Sequence, residues 1–194
     1  MNTAMVIKGV PDAKQLKLAA DIIKKGGIAI LPTDTVYGFF CLADNKKAVK
    51  KIYCLKGRDF SKPLQVFVAS LKEIKKIAVI GTGHKAFLEE KLPGPYTLIF
   101  KAKPAGVEKM KFINKTVGVR VVDSAVINGI IACLKAPLAA TSANFSGAAT
   151  PVKFKDIDKE ILKNVDICVQ FDKIVKGKAS TVIDMTDGKK ILRR

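Results

Sequence analysis

The sequence predicts an α/β fold in which helices pack against a mixed, twisted β-sheet. Segments with strand-like patterns alternate with segments of helical periodicity along the 194 residues. Several of the predicted strands lie close together in the chain, and Asp187-Gly188 is a strong hairpin signal between two of them. Because a hairpin joins antiparallel strands, we expect a mixed sheet rather than a purely parallel one.

Helices and strands are clearly signalled in the first half of the chain. Asp12 begins a helix with Gln15 in the capping-box position, and Gly26 ends it. The other elements predicted in this half are a strand over 28–31 that Pro32 ends, a helix from Asp44 or Asn45, a strand over 64–68, a helix opened by Ser70 and Glu73, a helix over 82–91 and a strand over 96–101.

The second half continues the alternation after a basic segment over 103–115 that has little pattern. Asp123 is predicted to cap the helix that follows the next strand. The elements predicted here are strands over 117–122, 138–141, 166–171, 181–184 and 189–192, and helices over 123–134 and 154–163. We find no internal repeat and no linker, so we expect a single domain over 1–194.

The stretch IAILPTDTVYGFF, residues 28–40, organises the rest of the interpretation. Thr33, Asp34 and Thr35 place three small oxygen-bearing side chains directly after a buried strand, where α/β proteins bind ligands. Gly38 is expected to close the turn, since glycine permits backbone angles or contacts that a side chain forbids. The alternative is an ordinary polar turn capped by Asp34.

The net charge of +18 favours anionic partners such as nucleotides or nucleic acid. A lysine-rich proteome is an equal explanation, because lysine supplies 31 of the 35 basic residues. Arginine is rare, and its planar fork can grip a carboxylate or phosphate in two places, which lysine cannot do. The four arginines are Arg58, Arg120, Arg193 and Arg194.

Several classes of protein are disfavoured. No apolar run is long enough for a membrane span, and the N-terminus lacks the features of a secretion signal, so we expect a cytoplasmic protein. The four cysteines form no CxxC pair and His84 is the only histidine, which argues against a zinc site or a Cys–His dyad. Neither a P-loop nor a GxGxxG turn is present, so a nucleotide would bind in another way.

Three further segments are candidates for chemistry. Residues 56–64, KGRDFSKPL, carry three positive charges that can grip a triphosphate, although a solvated basic loop is the alternative. Residues 141–147, TSANFSG, suit a loop that wraps a ligand, and a polar turn is the alternative. Residues 178–185, KASTVIDM, place Ser180 at the start of a strand, which can also be an ordinary strand start.

Taken together, these segments resemble the YrdC family of threonylcarbamoyl-AMP synthases. LPTDTVYGF, KGRDFSKPL, LPGPYTLIF, TVGVRV, PLAATSANFSG and STVID occur in the family order, over about residues 28–194. The resemblance implies a YrdC-like open twisted mixed sheet with flanking helices around a basic cavity. It also implies an enzyme that forms threonylcarbamoyl-AMP and pyrophosphate from L-threonine, bicarbonate and ATP, for modification of the adenosine beside the tRNA anticodon.

The resemblance also implies roles for individual residues. Lys56 and Arg58 are the implied catalytic residues, with Arg58 and Lys62 on the ATP phosphates, and the fork of Arg120 is expected to pair with the threonine carboxylate. Further ATP contacts are implied for Thr116, Ser142, Asn144, Thr150 and Arg194. The implied threonine contacts are Thr35, Arg120, Ala140 and Ser180.

The implied reaction needs positive charge rather than a side-chain nucleophile, because a carbamate must approach the α-phosphate of ATP. Mg²⁺ is expected to arrive on the triphosphate, without a dedicated protein site. The implied partners are a downstream threonylcarbamoyl transferase and, by direct binding, tRNA or double-stranded RNA.

Three positions depart from the family pattern. Asp59 stands where the family usually has proline, Phe67 where it often has histidine, and residues 121–124 replace an x-Pro-x-His run after Arg120. Two alternatives therefore stay open. One is a diverged YciO-type paralogue with another acyl donor or acceptor, and the other is an RNA-binding protein with the same fold.

Overall fold

The computed structural model describes residues 4–193, which form a single ten-stranded sheet with helices on both faces. The strands are β1 (Met5–Lys8), β2 (Ala29–Pro32), β3 (Tyr37–Leu42), β4 (Gln65–Phe67), β5 (Tyr96–Lys101), β6 (Thr116–Arg120), β7 (Leu138–Ser142), β8 (Ile167–Gln170), β9 (Thr181–Asp184) and β10 (Lys190–Arg193). The helices are α1 (Ala13–Lys24), α2 (Lys46–Lys56), α3 (Leu71–Ile77), α4 (Lys85–Lys91), α5 (Pro104–Val107), α6 (Ala125–Leu134) and α7 (Lys159–Lys163). Short 3₁₀ turns lie at Thr82–His84, Phe154–Asp156 and Asp172–Ile174.

The sheet is mixed and open, as predicted. Its strand order is β1-β8-β2-β3-β7-β4-β6-β5-β9-β10. The pairs β1–β8, β2–β8, β4–β6 and β5–β9 are parallel, and the remaining neighbours are antiparallel. The hairpin predicted at Asp187-Gly188 joins β9 to β10, in which Ile191 pairs with Ile183.

Most helix starts follow the capping chemistry of the sequence. Asp12 accepts a hydrogen bond from the backbone N–H of Gln15 at 2.8 Å, and the Gln15 side chain accepts one from the N–H of Asp12 at 3.0 Å. Of the two starts considered for α2, Asn45 is the cap, since its side chain accepts from Ala48 N–H. Capping contributes about 1 kcal/mol at each such site.

The two faces of the sheet bury separate apolar cores. Helices α2 and α3 cover the first face, where Ile52 and Ile74 are fully buried. Helices α1 and α6 cover part of the second face, where Ile23 and Ile127 pack on strand residues such as Phe40. Burial of a large apolar side chain contributes roughly 1.5–3 kcal/mol, so these two cores hold the sheet in place.

Strand β3 was not predicted from the sequence. Gly38 was expected to close the turn after β2, but the turn ends at Val36 and Gly38 lies within β3, paired with Leu31. The five residues from Tyr37 to Cys41 are all buried, so the segment lacks the polar–apolar alternation that signals a strand. A Cβ at Gly38 would lie 3.1 Å from the Thr141 carbonyl oxygen, so glycine permits close packing against β7 here.

Four other features of the structure differ from the sequence-based expectations. Ser124, not Asp123, caps α6, because its hydroxyl accepts from the N–H of Ile127 while Asp123 is exposed. The segment 103–115 contains the short helix α5, which begins at a proline that fits the first helical turn. Edge strand β1 was missed, because only one of its four residues is buried. The predicted helices over 82–91 and 154–163 each divide into a 3₁₀ turn and an α-helix.

None of the helices in residues 4–193 has the length and apolar character that crossing a membrane requires.

Candidate active-site cleft

The second face of the sheet is only half covered by helices, and a cleft lies on this face at the border of the covered part. The cleft is lined there by Phe40, Phe67 and Ala140 of the core and by Arg120 of β6. Strands β6, β5 and β9 contribute no residue to the core under α1 and α6. On β6 the side chains of Val117 and Val119 are fully buried on the first face, whereas Thr116 and Gly118 on the second face are half-buried. A concave, polar region of this kind at strand ends is where α/β proteins bind ligands.

Arginine is the only charged residue type among the described residues that line the cleft, since no lysine, aspartate or glutamate lines it. Three of the four arginines of the chain converge there, in a protein with 31 lysines. The cleft is lined by Thr33, Thr35, Val36, Gly38, Phe40, Arg58, Pro63, Gln65, Phe67, Arg120, Ala140, Thr141, Ser142, Thr150, Ala179, Ser180 and Arg193. This lining suits a ligand with two or more anionic groups.

The turn between β2 and β3 presents its hydroxyl groups to the cleft. The Thr33 hydroxyl donates to the Val36 carbonyl at 2.8 Å and accepts from the backbone N–H groups of Thr35 and Val36. It also lies 2.8 Å from the Thr35 hydroxyl. Both side chains are buried, so the turn is rigid and Thr35 is held in one orientation.

Asp34 forms a buried ion pair with Arg120. Arg120 Nη2 donates to Asp34 Oδ1 at 2.6 Å, and the two side chains are each only 4% exposed. Arg120 Nη1 donates to the Thr35 hydroxyl at 3.2 Å, and the guanidinium lies over the Phe67 ring at 4.9 Å. Burial raises the pKa of the Asp34 carboxyl, and the charge of Arg120 opposes that rise.

The Arg120 guanidinium has N–H donors beyond those that it uses in the bonds to Asp34 and Thr35. Its Nε and Asp34 Oδ2 are buried without a hydrogen-bond partner, and each terminal nitrogen has a second N–H beyond the one already used. Arg120 thus lines the cleft with donor capacity beyond its bonds to Asp34 and Thr35.

Lys56 lies behind the cleft wall rather than in it. Its ammonium is within 3.2 Å of four oxygen atoms, the carbonyl and side-chain oxygens of Ser142 and Asn144. The residue is 4% exposed, and burial lowers the pKa of Lys56 to about 8, with the positive charge of Arg58 adding to the effect. Lys56 thus fixes the loop after β7.

Arg58 lies at the cleft in a loop that it helps to hold. Gly57 ends α2 with a φ of 61°, a left-handed angle that glycine adopts without strain. Arg58 Nε then donates to the Lys62 carbonyl at 2.8 Å and Nη2 donates to the Pro63 carbonyl at 3.1 Å. The Tyr53 hydroxyl donates to the same Lys62 carbonyl, so the loop is anchored from both sides.

Ser180 and Arg193 close the other side of the cleft. The Ser180 hydroxyl lies 2.8 Å from the Thr97 hydroxyl, and Arg193 Nη2 donates to the Ser180 carbonyl at 2.9 Å. Arg193 comes from β10, so the C-terminal hairpin contributes a cation to the site. Burial lowers the pKa of Arg120, the pairing with Asp34 opposes this, and the positive charge of Arg193 adds to the lowering.

The structure brings many of the predicted site residues together. Those that line the cleft are Thr35, Arg58, Arg120, Ala140, Ser142, Thr150 and Ser180. Lys56, Lys62, Thr116 and Asn144 do not line it: Lys62 is exposed, Thr116 lies further along the uncovered face, and Lys56 and Asn144 bind each other behind the wall. Arg194 lies outside the described residues. The roles of all these residues in binding remain predictions.

Sequence reasoning missed one residue that lines the cleft and one ion pair beside it. Arg193 lines the cleft, and the rarity of arginine was the signal for it, although the role was assigned to Arg194. Asp34 was predicted as one of three oxygen-bearing side chains of the ligand turn, with a turn cap as the alternative, but its ion pair with Arg120 was not predicted. No local pattern announces that pair, since 86 positions separate the two residues. Of the departures from the family pattern, Phe67 lies in the cleft and Asp123 is exposed outside it.

A comparison with protein families places most of the chain in a known group. The family model Sua5_yciO_yrdC, described as "Telomere recombination", matches residues 21–194. A Methanocaldococcus jannaschii protein named "Putative threonylcarbamoyl-AMP synthase" is 39% identical over 91% of this chain and 83% of its own length. A Bacillus subtilis protein named "Threonylcarbamoyl-AMP synthase" is 30% identical over 93% of this chain, which corresponds to 53% of that protein.

Solved structures share the fold. Pyrococcus abyssi Sua5, in a crystal structure described as complexed with L-threonine, matches with a TM-score of 0.89 and 26% identity over 99% of this chain. The chain corresponds to 57% of that protein, so it spans little more than half the length of several relatives it matches. Escherichia coli YciO matches with a TM-score of 0.87 over 96% of its length, and at 24% identity this likeness concerns the fold.

Proposed function

We propose, since this chain belongs to the Sua5/YciO/YrdC family, that it is an L-threonylcarbamoyladenylate synthase. It forms threonylcarbamoyl-AMP and pyrophosphate from L-threonine, bicarbonate and ATP. The relatives named for this activity support the assignment, as does the architecture that this chain shares with them.

The convergence of three arginines on one cleft is the observation that carries the proposal. Arg58, Arg120 and Arg193 come from distant parts of the chain and line one site that lysines do not line in residues 4–193. The reaction brings together a triphosphate, an amino-acid carboxylate and a carbamate, all of them anions. A site for such reactants needs fixed cations with directional donors, which arginine supplies.

The amino-acid end of the site lies at Arg120. The threonine carboxylate binds the free donors of its guanidinium, whose position is fixed by Asp34 and by the Phe67 ring. Thr35 and Ser180 place hydroxyl groups at the same cleft, where they can form hydrogen bonds with the threonine hydroxyl. The backbone of Ala140 can also contact the amino acid there.

The nucleotide end lies towards Arg58. Arg58 binds the phosphates, and Ser142 and Thr150 supply hydroxyl groups beside it. Arg193 lies across the cleft, where it takes the closing role that the resemblance implies for Arg194. Lys56 acts as a positioning residue, because its ammonium holds the loop of Ser142 and Asn144. The candidate ATP contacts also include Lys62, Thr116 and Asn144, which do not line the cleft. Contact between ATP and these residues would need movement of the loops or of the ATP.

The chemistry then follows from positioning and charge. Bicarbonate dissociates to CO₂ and hydroxide. The neutral threonine amine attacks the carbon of CO₂, and the proton that the amine then loses combines with the hydroxide as water, so a carbamate is formed. A carbamate oxygen attacks the α-phosphorus of ATP, the bond to the β-phosphate oxygen breaks, and pyrophosphate leaves with that electron pair. The arginines stabilise the charge that develops on the phosphates, and no side chain forms a covalent bond.

In this proposal Mg²⁺ enters the site together with ATP. No carboxylate among residues 4–193 lines the cleft, and no cluster of three potential metal ligands occurs in that range. We therefore propose that Mg²⁺ arrives with the triphosphate and is held by phosphate oxygens.

The product defines the kind of partner that must follow. A carbamoyl adenylate is a reactive mixed anhydride, so a threonylcarbamoyl transferase that modifies tRNA is the implied consumer, in the cytoplasm. Direct binding of tRNA or double-stranded RNA stays a prediction. The alternative of a YciO-type protein with another acyl donor or acceptor rests on the departures at Asp59, Phe67 and residues 121–124. Of these, Phe67 puts an apolar ring beside Arg120 where relatives often have histidine.

Pyrophosphate release tests the proposal. The purified chain is incubated with ATP and Mg²⁺, with and without bicarbonate and L-threonine, and pyrophosphate is measured by a coupled assay. Release that requires both additions supports the proposal. ATP binding without stimulated release would favour the YciO-type alternative, and binding of RNA without ATP binding would favour an RNA-binding protein.

A further inference from the structure

A second concave site lies outside the cleft, along helix α2. Helix α2 packs on the first face of the sheet, whereas the cleft opens on the second. We name this site the Phe60 groove, and its defining residues are Tyr53, Phe60 and Phe112 on its apolar walls and Lys46, Lys50 and Lys111 at its edge.

The apolar part of the groove is unusual for a surface. Phe60 is 62% exposed, and its ring stacks on Tyr53 with centroids 4.7 Å apart and an interplanar angle of 21°. The stack holds Phe60 in a fixed orientation, and Val49 and Phe112 complete an apolar recess beside it. A rigid, exposed aromatic ring next to an apolar recess is a feature of protein interaction surfaces.

The charged part of the groove has a single sign. Lys46 and Lys50 are one helical turn apart on α2, so they point to the same side, and Lys111 approaches from the segment after α5. No acidic residue among those described lines the groove. The complementary partner therefore carries negative charge around an apolar centre.

The chemistry of the walls favours a protein segment over a nucleic acid. Among the residues of the range 4–193 that line the groove, the only uncharged polar side-chain group is the Tyr53 hydroxyl, which already donates to the Lys62 carbonyl. A nucleobase in the recess would bury hydrogen-bonding edges without partners, which costs about 1–3 kcal/mol for each group. A leucine or phenylalanine side chain carries no such cost.

We propose that the Phe60 groove docks an acidic, amphipathic segment of another protein. An apolar side chain of that segment packs against Phe60 in the recess, and its carboxylates pair with Lys46, Lys50 and Lys111. Helices that lay an apolar face into a groove bind in this way. The proposal does not depend on the reaction in the cleft.

Fluorescence anisotropy with defined probes tests it. The main probe is a labelled helical peptide with leucine and phenylalanine on one face and glutamate on the other. The second probe is a scrambled peptide of the same composition, and the third is a single-stranded oligouridylate. We expect the amphipathic peptide to bind at least roughly tenfold more tightly than the scrambled one, and Phe60→Ala to lower its affinity about tenfold or more.

A pair of lysine variants provides the matched control, because Phe60→Ala can also disturb the loop that carries Arg58. Lys50→Glu reverses the charge at one position of the groove. Lys47→Glu makes the same charge reversal at an exposed position of the same helix outside the groove. We expect Lys50→Glu to weaken peptide binding roughly threefold or more and Lys47→Glu to change it less than about twofold. Equal effects of the two, or equal binding of the scrambled peptide, would overturn the proposal. Oligouridylate binding that exceeds peptide binding and is lost in Phe60→Ala would overturn it in favour of RNA.

Discussion

The carboxylate of Asp34 and the guanidinium of Arg120 lie 2.6 Å apart in a pair that is almost fully buried beside the cleft. The pair joins the turn between β2 and β3 to the end of β6, across the centre of the sheet. Arg120 lines the cleft and has N–H donors beyond those that it uses with Asp34 and Thr35. The amino-acid end of the proposed site therefore depends on the Asp34–Arg120 ion pair.

Removal of Asp34 tests the structural importance of this pair. Asp34→Ala leaves Arg120 buried without its counter-charge, so we expect the free energy of unfolding to fall by about 3 kcal/mol. Lys51→Ala breaks the more exposed Lys51–Asp166 pair, at 3.6 Å, and should cost less than about 1 kcal/mol. Urea denaturation measures both variants. A loss for Asp34→Ala no larger than that for Lys51→Ala would show that the buried pair does not stabilise the fold.

Arg58 is predicted to bind the ATP phosphates. Arg58→Ala should weaken ATP binding by roughly 1.5–3 kcal/mol, because a charged hydrogen-bond donor is lost, with little change in the circular dichroism spectrum. Lys47→Ala, on the exposed side of α2, controls for the loss of one positive charge. Isothermal calorimetry decides the question, and unchanged affinity in Arg58→Ala would remove this residue from the site.

Lys56 gives the site a dependence on pH. Burial lowers the pKa of Lys56 to about 8, so the ammonium loses its proton as the pH rises through that value. The neutral amine has two donors in place of three, and the loop of Ser142 and Asn144 loosens. We expect ATP affinity to fall with a midpoint near pH 8. The Lys56→Gln variant should lack this transition, and a wild-type profile that is flat across this range would contradict the role.

Stability should not fall with ATP affinity in this pH window. The pKa of Lys56 is about 8 in the folded chain, below its ordinary value of 10.5. Between these two values the unfolded chain binds more protons, so this group alone makes the free energy of unfolding rise with pH. Thermal denaturation at the same pH values therefore separates loosening of the loop from unfolding of the chain.

The choice of amino acid tests the hydroxyl-bearing residues. Serine lacks the methyl group of threonine and valine lacks its hydroxyl, so a pocket that reads both groups discriminates, and the hydroxyl counts for more. L-threonine should stimulate pyrophosphate release more than serine, and serine more than valine. Equal stimulation by valine would show that the hydroxyl is not read and that the assignment of Thr35 and Ser180 is wrong.

Local chemistry made much of the fold predictable. The Asp12–Gln15 capping box, the strand 96–101 and the hairpin at Asp187-Gly188 depend on neighbouring residues, and the structure contains all three. Strand β3 was not predicted, because both of its faces are buried and its sequence therefore lacks the polar–apolar alternation that signals a strand. Asp123 and Ser124 are both good helix caps, so the sequence alone favoured the wrong one of two adjacent residues.

The candidate site was predictable only as separate segments. Arg58, Ser142 and Ser180 were identified from three motifs, but nothing local shows that they share one cleft. The side-chain directions of Lys56 and Asp34 depend on residues more than 80 positions away, so their partners became visible only in three dimensions. The place of Arg193 at the cleft depends on the register of β10, which no local sequence pattern shows.

The product itself provides the most direct test of the proposed function. The chain is incubated with ATP, Mg²⁺, L-threonine and carbon-labelled bicarbonate, and the adenylates are separated quickly and analysed by mass spectrometry. We predict an adenylate that contains threonine together with the labelled carbon, absent when any one substrate is omitted and strongly reduced in Arg120→Ala. An adenylate without the labelled carbon, or one that forms equally well without threonine, would contradict the assignment.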